Sequence, residues 1–376
     1  MSFDNTVSLI LLLARCKPSD EAIEDAVRLI GTGGVDWKAF WTISLRNGVT
    51  PLIYKNSTLP GIPDEIRDGL KSAYLHNLRE ILSASSQLAE VVESFLKEGI
   101  DCIPLKGVTT ASEVFGDMAL YPSVDIDILI RRGDLSRASE LLRRMGYEDA
   151  YRTDSFYLDH YEDVIFRKGE MKNLELHLRL GNIRYFDIPG DFWWEDALEI
   201  GFDGHRFRVL SPEKNLLFLS IHLFGHGYSP LKFIVAIAEL LRVYEKSLDW
   251  RKLMEDAERY HADKPLLLSV SLAANLLDAP AGDLLRQRLE GLRRVDRLIF
   301  RKIQDEVFRE DASYPGIMLL LTILQYNSRE VVSRLVKWVF PPLKEINYRY
   351  NIPFGSKSVY IYYLLNPFLL LLKKRH

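Results

Sequence analysis

Apolar positions along the chain change period twice. Up to about residue 100 they recur at steps of three and four, the spacing of a helix face. Val7, Ile10, Leu11 and Ala14 begin the first face, and Pro18-Ser19-Asp20-Glu21 reads as a helix start. A further helix opens at Asp36-Trp37 and closes near Asn47-Gly48. After the breakers Pro60, Gly61 and Pro63, a long helix is expected from about Asp64 to Glu98, carried by Leu70, Tyr74, Leu78, Ile81, Leu82, Leu88, Val91, Val92 and Phe95 and stopped by Gly99.

Between residues 101 and 210 the period shortens to two. Strands are expected at Asp101 to Leu105 and Val124 to Ile130. A helix from Val108 to Phe115 lies between them and another follows from Leu135 to Met145. Glu162 to Lys168 and Leu174 to Leu180 read as a hairpin. An aromatic connector with Trp193 and Trp194 leads to a short strand at Phe207 to Leu210. From Ser211-Pro212, a cap followed by proline in the first turn, the spacing is helical again. Helices are expected at Phe233 to Tyr244, Asp249 to Tyr260, Lys264 to Leu277 and Gly282 to Val307. This divides the chain into 1–100, 101–210 and 211–376: a helical region, an α+β core on a small mixed sheet, and a helical bundle.

Composition changes the picture little. The 376 residues are 47% hydrophobic and 27% charged, ordinary for a globular protein, and the formal charge is -3. That balance argues against a surface built to coat nucleic acid. Two cysteines, Cys16 and Cys102, lack metal-ligand spacing and point to the reducing cytoplasm. The apolar run Ser8 to Ala14 lacks the basic flank of a signal peptide and reads as a buried helix. Val359 to Leu372 is also apolar, but its 14 residues fall short of the roughly 20 that span a bilayer, and Pro367 interrupts it. A helix buried in the bundle is expected there. The basic Lys373-Lys374-Arg375 makes peripheral membrane contact the alternative.

The chemistry concentrates in two strands. On the first, Ile126, Ile128 and Ile130 should face a core while Asp125 and Asp127 point outward together. Two like charges so close raise one pKa unless a cation intervenes, and oxygen-only ligands suit Mg²⁺. On the second, Leu174, Leu176, Leu178 and Leu180 alternate with Glu175, His177 and Arg179. Glu175 can complete a metal site, with His177 supporting it or touching substrate. Lys106-Gly107 offers a cation and a flexible turn at a helix start, where N–H groups can receive phosphate. Alone, the pair reads equally well as a plain strand-to-helix turn. His222 and His226 share a helix face, but Leu223 stands where a zinc protease has glutamate, so that chemistry is excluded.

These residues resemble a known family. Leu105-Lys106-Gly107, Phe115-Gly116-Asp117, Val124-Asp125-Ile126-Asp127-Ile128-Leu129-Ile130 and Leu174-Glu175-Leu176-His177-Leu178-Arg179-Leu180 are similar to motifs of the uncharacterised nucleotidyltransferase family in the DNA polymerase β superfamily. The stretches Trp37…Asn47-Gly48-Val49-Thr50-Pro51-Leu52 and Pro212-Glu213…His222 also look familial. The resemblance implies two Mg²⁺ ions held by the catalytic Asp125, Asp127 and Glu175. It implies a nucleoside triphosphate bound at Lys106, Gly107, Thr109 and Thr110, and an acceptor lined by His177, Arg179 and His222. The acceptor is open: a small molecule, a protein or an RNA end. One departure matters. The family commonly has arginine before the proline preceding the two aspartates, where this chain has Tyr121-Pro122. Lys106, Arg131 or Arg132 would have to supply that charge. The rival reading is a nucleotide-binding or regulatory module that keeps the fold and has lost catalysis.

Overall fold

The computed structural model describes residues 4–150, 163–181, 185–202, 205–308, 320–324, 336, 339–350, 352–353 and 355–372. Two compact units make up the chain, 1–290 and 291–376. Glu162 and the basic tail 373–375, which figure in the expectations above, lie outside the described residues.

The first unit opens with five helices: α1 (Asn5–Leu13), α2 (Asp20–Gly31), α3 (Trp37–Arg46), α4 (Thr50–Lys55) and α5 (Asp64–Lys97). Side chains start three of them. Asp4, Ser19 and Asp36 accept hydrogen bonds from the amides of Val7, Ala22 and Ala39, caps worth about 1 kcal/mol each. The 34-residue α5 matches its expected span, and Gly99, with φ +67°, ends it.

Strand β1 (Cys102–Leu105) follows. The helix expected after it is a single α-turn, α6 (Val108–Thr110), continued as a π-helical turn at Ala111–Phe115. Then come β2 (Ile126–Ile130), α7 (Leu135–Arg144), β3 (Glu148–Asp149), β4 (Asp163–Arg167) and β5 (Leu174–His177). These strands form one mixed sheet of order β1-β2-β5-β4-β3, parallel only between β2 and β5. The anticipated hairpin is the β4–β5 pair. Its second arm ends at His177, although Leu178 and Leu180 remain buried beyond it. β2 starts two residues later than expected. Ser123 Oγ donates to the carbonyl of Asp125 at 2.8 Å, a local bond that competes with the ladder, and Val124 is exposed.

One sheet face builds the core. Ile126, Ile128, Ile130, Leu174 and Leu176 pack against Leu88, Val91, Val92 and Phe95 of α5 and Leu141 and Leu142 of α7. The alternation read from sequence is therefore correct. The face that carries Asp127 is buried as well: Leu129 is fully buried and Asp127 is only 2% exposed.

A two-stranded ribbon, β6 (Leu198–Phe202) and β7 (His205–Val209), leads into α8 (Pro212–Gly225), α9 (Leu231–Tyr244), α10 (Trp250–Arg259), α11 (Asp263–Leu277) and α12 (Asp283–Glu290). α8 to α11 pack pairwise around buried Leu217, Leu223, Ile237, Leu240, Leu268 and Val270.

The helix expected over Gly282 to Val307 is broken into α12 and α13 (Arg294–Glu306). Gly291 falls in the gap, and the Arg293 guanidinium grips the Asp296 carboxylate through two 2.7 Å bonds at the new start. The second unit also holds α14 (Leu343–Arg349) and α15 (Ser358–Leu372), with Ile346, Ile352 and Val359 as its core. Asn366 fixes α15 from its buried side. Its Oδ1 accepts from Arg349 and Tyr350, and its Nδ2 donates to the carbonyl of Val339. The expectation of a buried α15 holds for that side alone. Tyr360, Ile361, Leu364 and Phe368 are 58–68% exposed. Among the described residues no helix is long and apolar enough to cross a membrane.

Candidate active site

Register brings the acidic residues together. Antiparallel pairing sets Leu105 opposite Asp127, and parallel pairing sets Asp127 opposite Glu175. Side chains of like parity then share a face, so Asp127 and Glu175 emerge side by side and His177 follows one pleat on. The next residue after β1 is Lys106, whose Nζ lies 3.1 Å from Asp127 Oδ2 and 3.8 Å from Asp125 Oδ1. His177 Nε2 lies 2.8 Å from Asp127 Oδ1 and 3.8 Å from Glu175 Oε2.

The backbone at Lys106 is unusual. Its φ is +26° and that of Gly107 is +54°, both in the region where L side chains are strained. Such strain, about 1–3 kcal/mol per residue, persists where surrounding structure imposes it. Here it swings the lysine back over the two aspartates. A Cβ on Gly107 would lie 2.7 Å from Ser123 Oγ, so the turn and the loop before Asp125 touch. Thr109 closes the turn by donating its hydroxyl to the carbonyl of Lys106 at 2.8 Å. Thr110 is buried, and its hydroxyl has no hydrogen-bond partner among the described residues.

Electrostatics divide the three carboxylates. Burial pushes Asp127 upward, but Lys106 and the hydrogen bond from His177 overcome it and hold the group below its ordinary value. Burial and the neighbouring Asp127 raise Asp125. Burial, Asp127 and Asp125 push Glu175 up to about 7. Burial opposes the charged forms of Lys106 and His177, yet their carboxylate neighbours raise both. Glu175 is thus the carboxylate that titrates nearest neutrality, because burial and two neighbouring carboxylates oppose its charge.

This gives a measurable pH dependence. Glu175 has its folded pKa, about 7, above its ordinary 4.5, and His177 is raised above 6.5. A raised group stabilises the fold fully below its unfolded pKa and loses that contribution as pH rises through the folded value. Metal-free protein should therefore melt at lower temperature as pH rises across about 5 to 8. Glu175→Gln should flatten the slope. Identical slopes in melts of the two proteins would contradict this account.

The other expected residues are placed as follows. Arg179 lies just beyond β5, half-buried, and makes no ion pair with the cluster among the described residues. His222 meets His226 at 4.5 Å between rings, with the Phe233 ring 4.8 Å away. Burial, then Lys106, His226 and His177, drive its pKa well down, so it is neutral, and its Nε2 has no hydrogen-bond partner among the described residues. Arg131 does not turn inward: it pairs with Asp191 at 3.2 Å and stacks on Trp194.

The cation at Tyr121-Pro122 comes instead from a residue the sequence reading passed over. Lys232, at the start of α9, donates to the carbonyl of Pro122 at 3.0 Å, with its ammonium 6.0 Å from the Tyr121 ring centre. The local sequence offers no signal for this, because the contact joins segments 110 residues apart.

The donor set fits a divalent cation. Ligand atoms of Asp127, Glu175 and His177 all lie within 4.8 Å of one another, the one such group among the described residues, and Asp125 stands beside it across Lys106. Asp127 Oδ2 is buried and forms an ion pair with Lys106 rather than an aligned hydrogen bond.

A small mixed sheet, carboxylates on adjacent parallel strands and a lysine turn beside them define a nucleotidyltransferase type of protein. The model of the uncharacterised nucleotidyltransferase family matches residues 33–278, and the chain belongs to that family. Its general activity is therefore nucleotidyl transfer. The match runs from just before α3 to the end of α11. Among curated proteins nothing matches.

Proposed function

We propose that this protein moves a nucleoside monophosphate from a nucleoside triphosphate to an acceptor hydroxyl and releases pyrophosphate. Asp125, Asp127 and Glu175 would hold magnesium, two ions in this reading. When bound, magnesium supplies Lewis-acid stabilisation of charge on the attacking and leaving oxygens. His177 holds Asp127 in orientation through the 2.8 Å contact. Glu175, nearest the acceptor in this reading, would take the acceptor's proton. The acceptor oxygen bonds to the α-phosphorus as the bond to the β-phosphate bridging oxygen breaks. Lys106 neutralises phosphate charge at the Gly107 turn, and neutral His222 lines the acceptor side.

The observation that carries this reading is the meeting of Asp127, Glu175 and His177 within 4.8 Å, with Asp125 beside them. The experiment is incubation with each α-³²P-labelled nucleoside triphosphate and cell extract, with and without Mg²⁺. Magnesium-dependent label on an acceptor is expected. No label with any nucleotide would overturn the proposal and favour the binding module.

The cytoplasm is the compartment this reading assumes, and Cys16 and Cys102 are both buried free thiols. The exposed side of α15 adds a peripheral contact with anionic lipid. The helix contains no acidic residue, and the sequence continues into Lys373-Lys374-Arg375. In flotation with phosphatidylglycerol vesicles the full chain should rise. A variant carrying Ile361→Glu, Leu364→Glu and Phe368→Glu should stay down. Equal behaviour of the two would remove the contact.

A further inference from the structure

We infer that Lys232 binds the terminal phosphates of the nucleoside triphosphate and stabilises the departing pyrophosphate. The inference rests on the transfer reading above and names a residue for it.

Two separate segments hold this residue. Asn47, at the end of α3, accepts the Leu231 amide on its side-chain oxygen at 3.0 Å and the Lys232 amide on its carbonyl at 3.1 Å. Gly48 leaves room for the lysine stem: a Cβ there would lie 2.9 Å from Lys232 Cδ. The carbonyl of Pro122 receives the ammonium, which also lies 5.1 Å from the Phe233 ring centre. A lysine held at both backbone and tip has lost the rotamer freedom of a surface lysine, and that cost needs a purpose.

Among the described residues no carboxylate lies within ion-pair distance of Lys232, and a carbonyl is its one hydrogen-bond acceptor. An ammonium has three donors, so two remain. Burial first, and then Lys106 and Lys172, push its pKa down to about 8, against the pull of Asp125. A partly buried ammonium whose one protein acceptor is a neutral carbonyl favours an anion beside it.

Position selects the anion. Lys232 stands on the loop 122–125, whose Ser123 touches Gly107 and whose Asp125 faces Lys106. Nucleobase, ribose and acceptor hydroxyl are neutral; phosphates are not. α6 has only three helical residues, so its summed dipole offers little, and the charge must come from side chains. Lys106, just after β1, and Lys232, at the start of α9, reach the same loop.

The test compares the wild type with Lys232→Met and Lys232→Arg, using inorganic pyrophosphate with Mg²⁺ as the calorimetric probe, alongside steady-state transfer. Lys232→Met should weaken pyrophosphate binding and raise KM for the triphosphate by roughly 10- to 100-fold, the size expected for a lost charged hydrogen bond. Lys232→Arg should recover much of both. In the wild type, Mg-pyrophosphate should protect Lys232 from reductive methylation, read by mass spectrometry, a measurement independent of how the variants fold. Unchanged pyrophosphate affinity in Lys232→Met, or equal methylation with and without pyrophosphate, overturns the role of Lys232 and leaves the transfer reading standing. A wild type that neither transfers nor binds pyrophosphate overturns both.

Discussion

Asp127→Asn should reduce magnesium-dependent transfer by at least about 1,000-fold, beyond the roughly 10–100-fold typical of losing an outer-shell partner. Asp127 is the centre of the cluster, with Lys106 on one oxygen and His177 on the other. Asparagine keeps the shape and removes the charge. It also leaves two cations facing a neutral group, so both lose the influence that raises their pKa values. Label transfer from the α-phosphate is the readout, with a thermal melt to confirm folding. A folded variant within tenfold of the wild type would show that Asp127 is not the central ligand.

Gly107→Ala should cost about 100-fold in activity, the penalty for shifting catalytic groups by about 1 Å. It should also destabilise the fold by about 1–3 kcal/mol. Two separate obstacles meet there. The backbone has φ +54° and ψ −116°, which a side chain resists, and the new Cβ would press on Ser123 Oγ. That oxygen is bonded to the carbonyl of Asp125, so the push reaches a proposed metal ligand. Adding Ser123→Gly should relieve the contact and leave the backbone strain, giving partial recovery. Full recovery in the double variant would mean that crowding alone was responsible.

How much of this was legible in the sequence depends on the range of the interaction. Alternation in 126–130 and 174–177 identified the core-facing isoleucines and leucines and the acidic face. Ser19, Asp36 and Ser211 were readable as helix starts because a cap acts over three residues. The helix after Gly107 keeps its expected bounds, Val108 to Phe115, and differs only in turning from α to π geometry. Val108, Thr109 and Thr110 are β-branched, which weakens the helix. Glu113 then leaves the local turn to accept from Tyr244 at 2.8 Å and Asn215 at 3.1 Å, and the segment there is a π-turn. The burial of Asp127 and the arrival of Lys232 were invisible for the same reason. Each depends on segments far away in the chain.

The Asn47–Leu231 hydrogen bond has a bearing on folding order. It joins residues 184 positions apart, whereas the contact between Asp127 and His177 spans 50. Closing a longer loop costs more entropy, and contacts of greater separation form later. The carboxylates can thus gather while α9 is still unplaced, and Lys232 joins them only once the chain between α3 and α9 has taken its course. A partly folded chain would carry the acids of the site without this lysine.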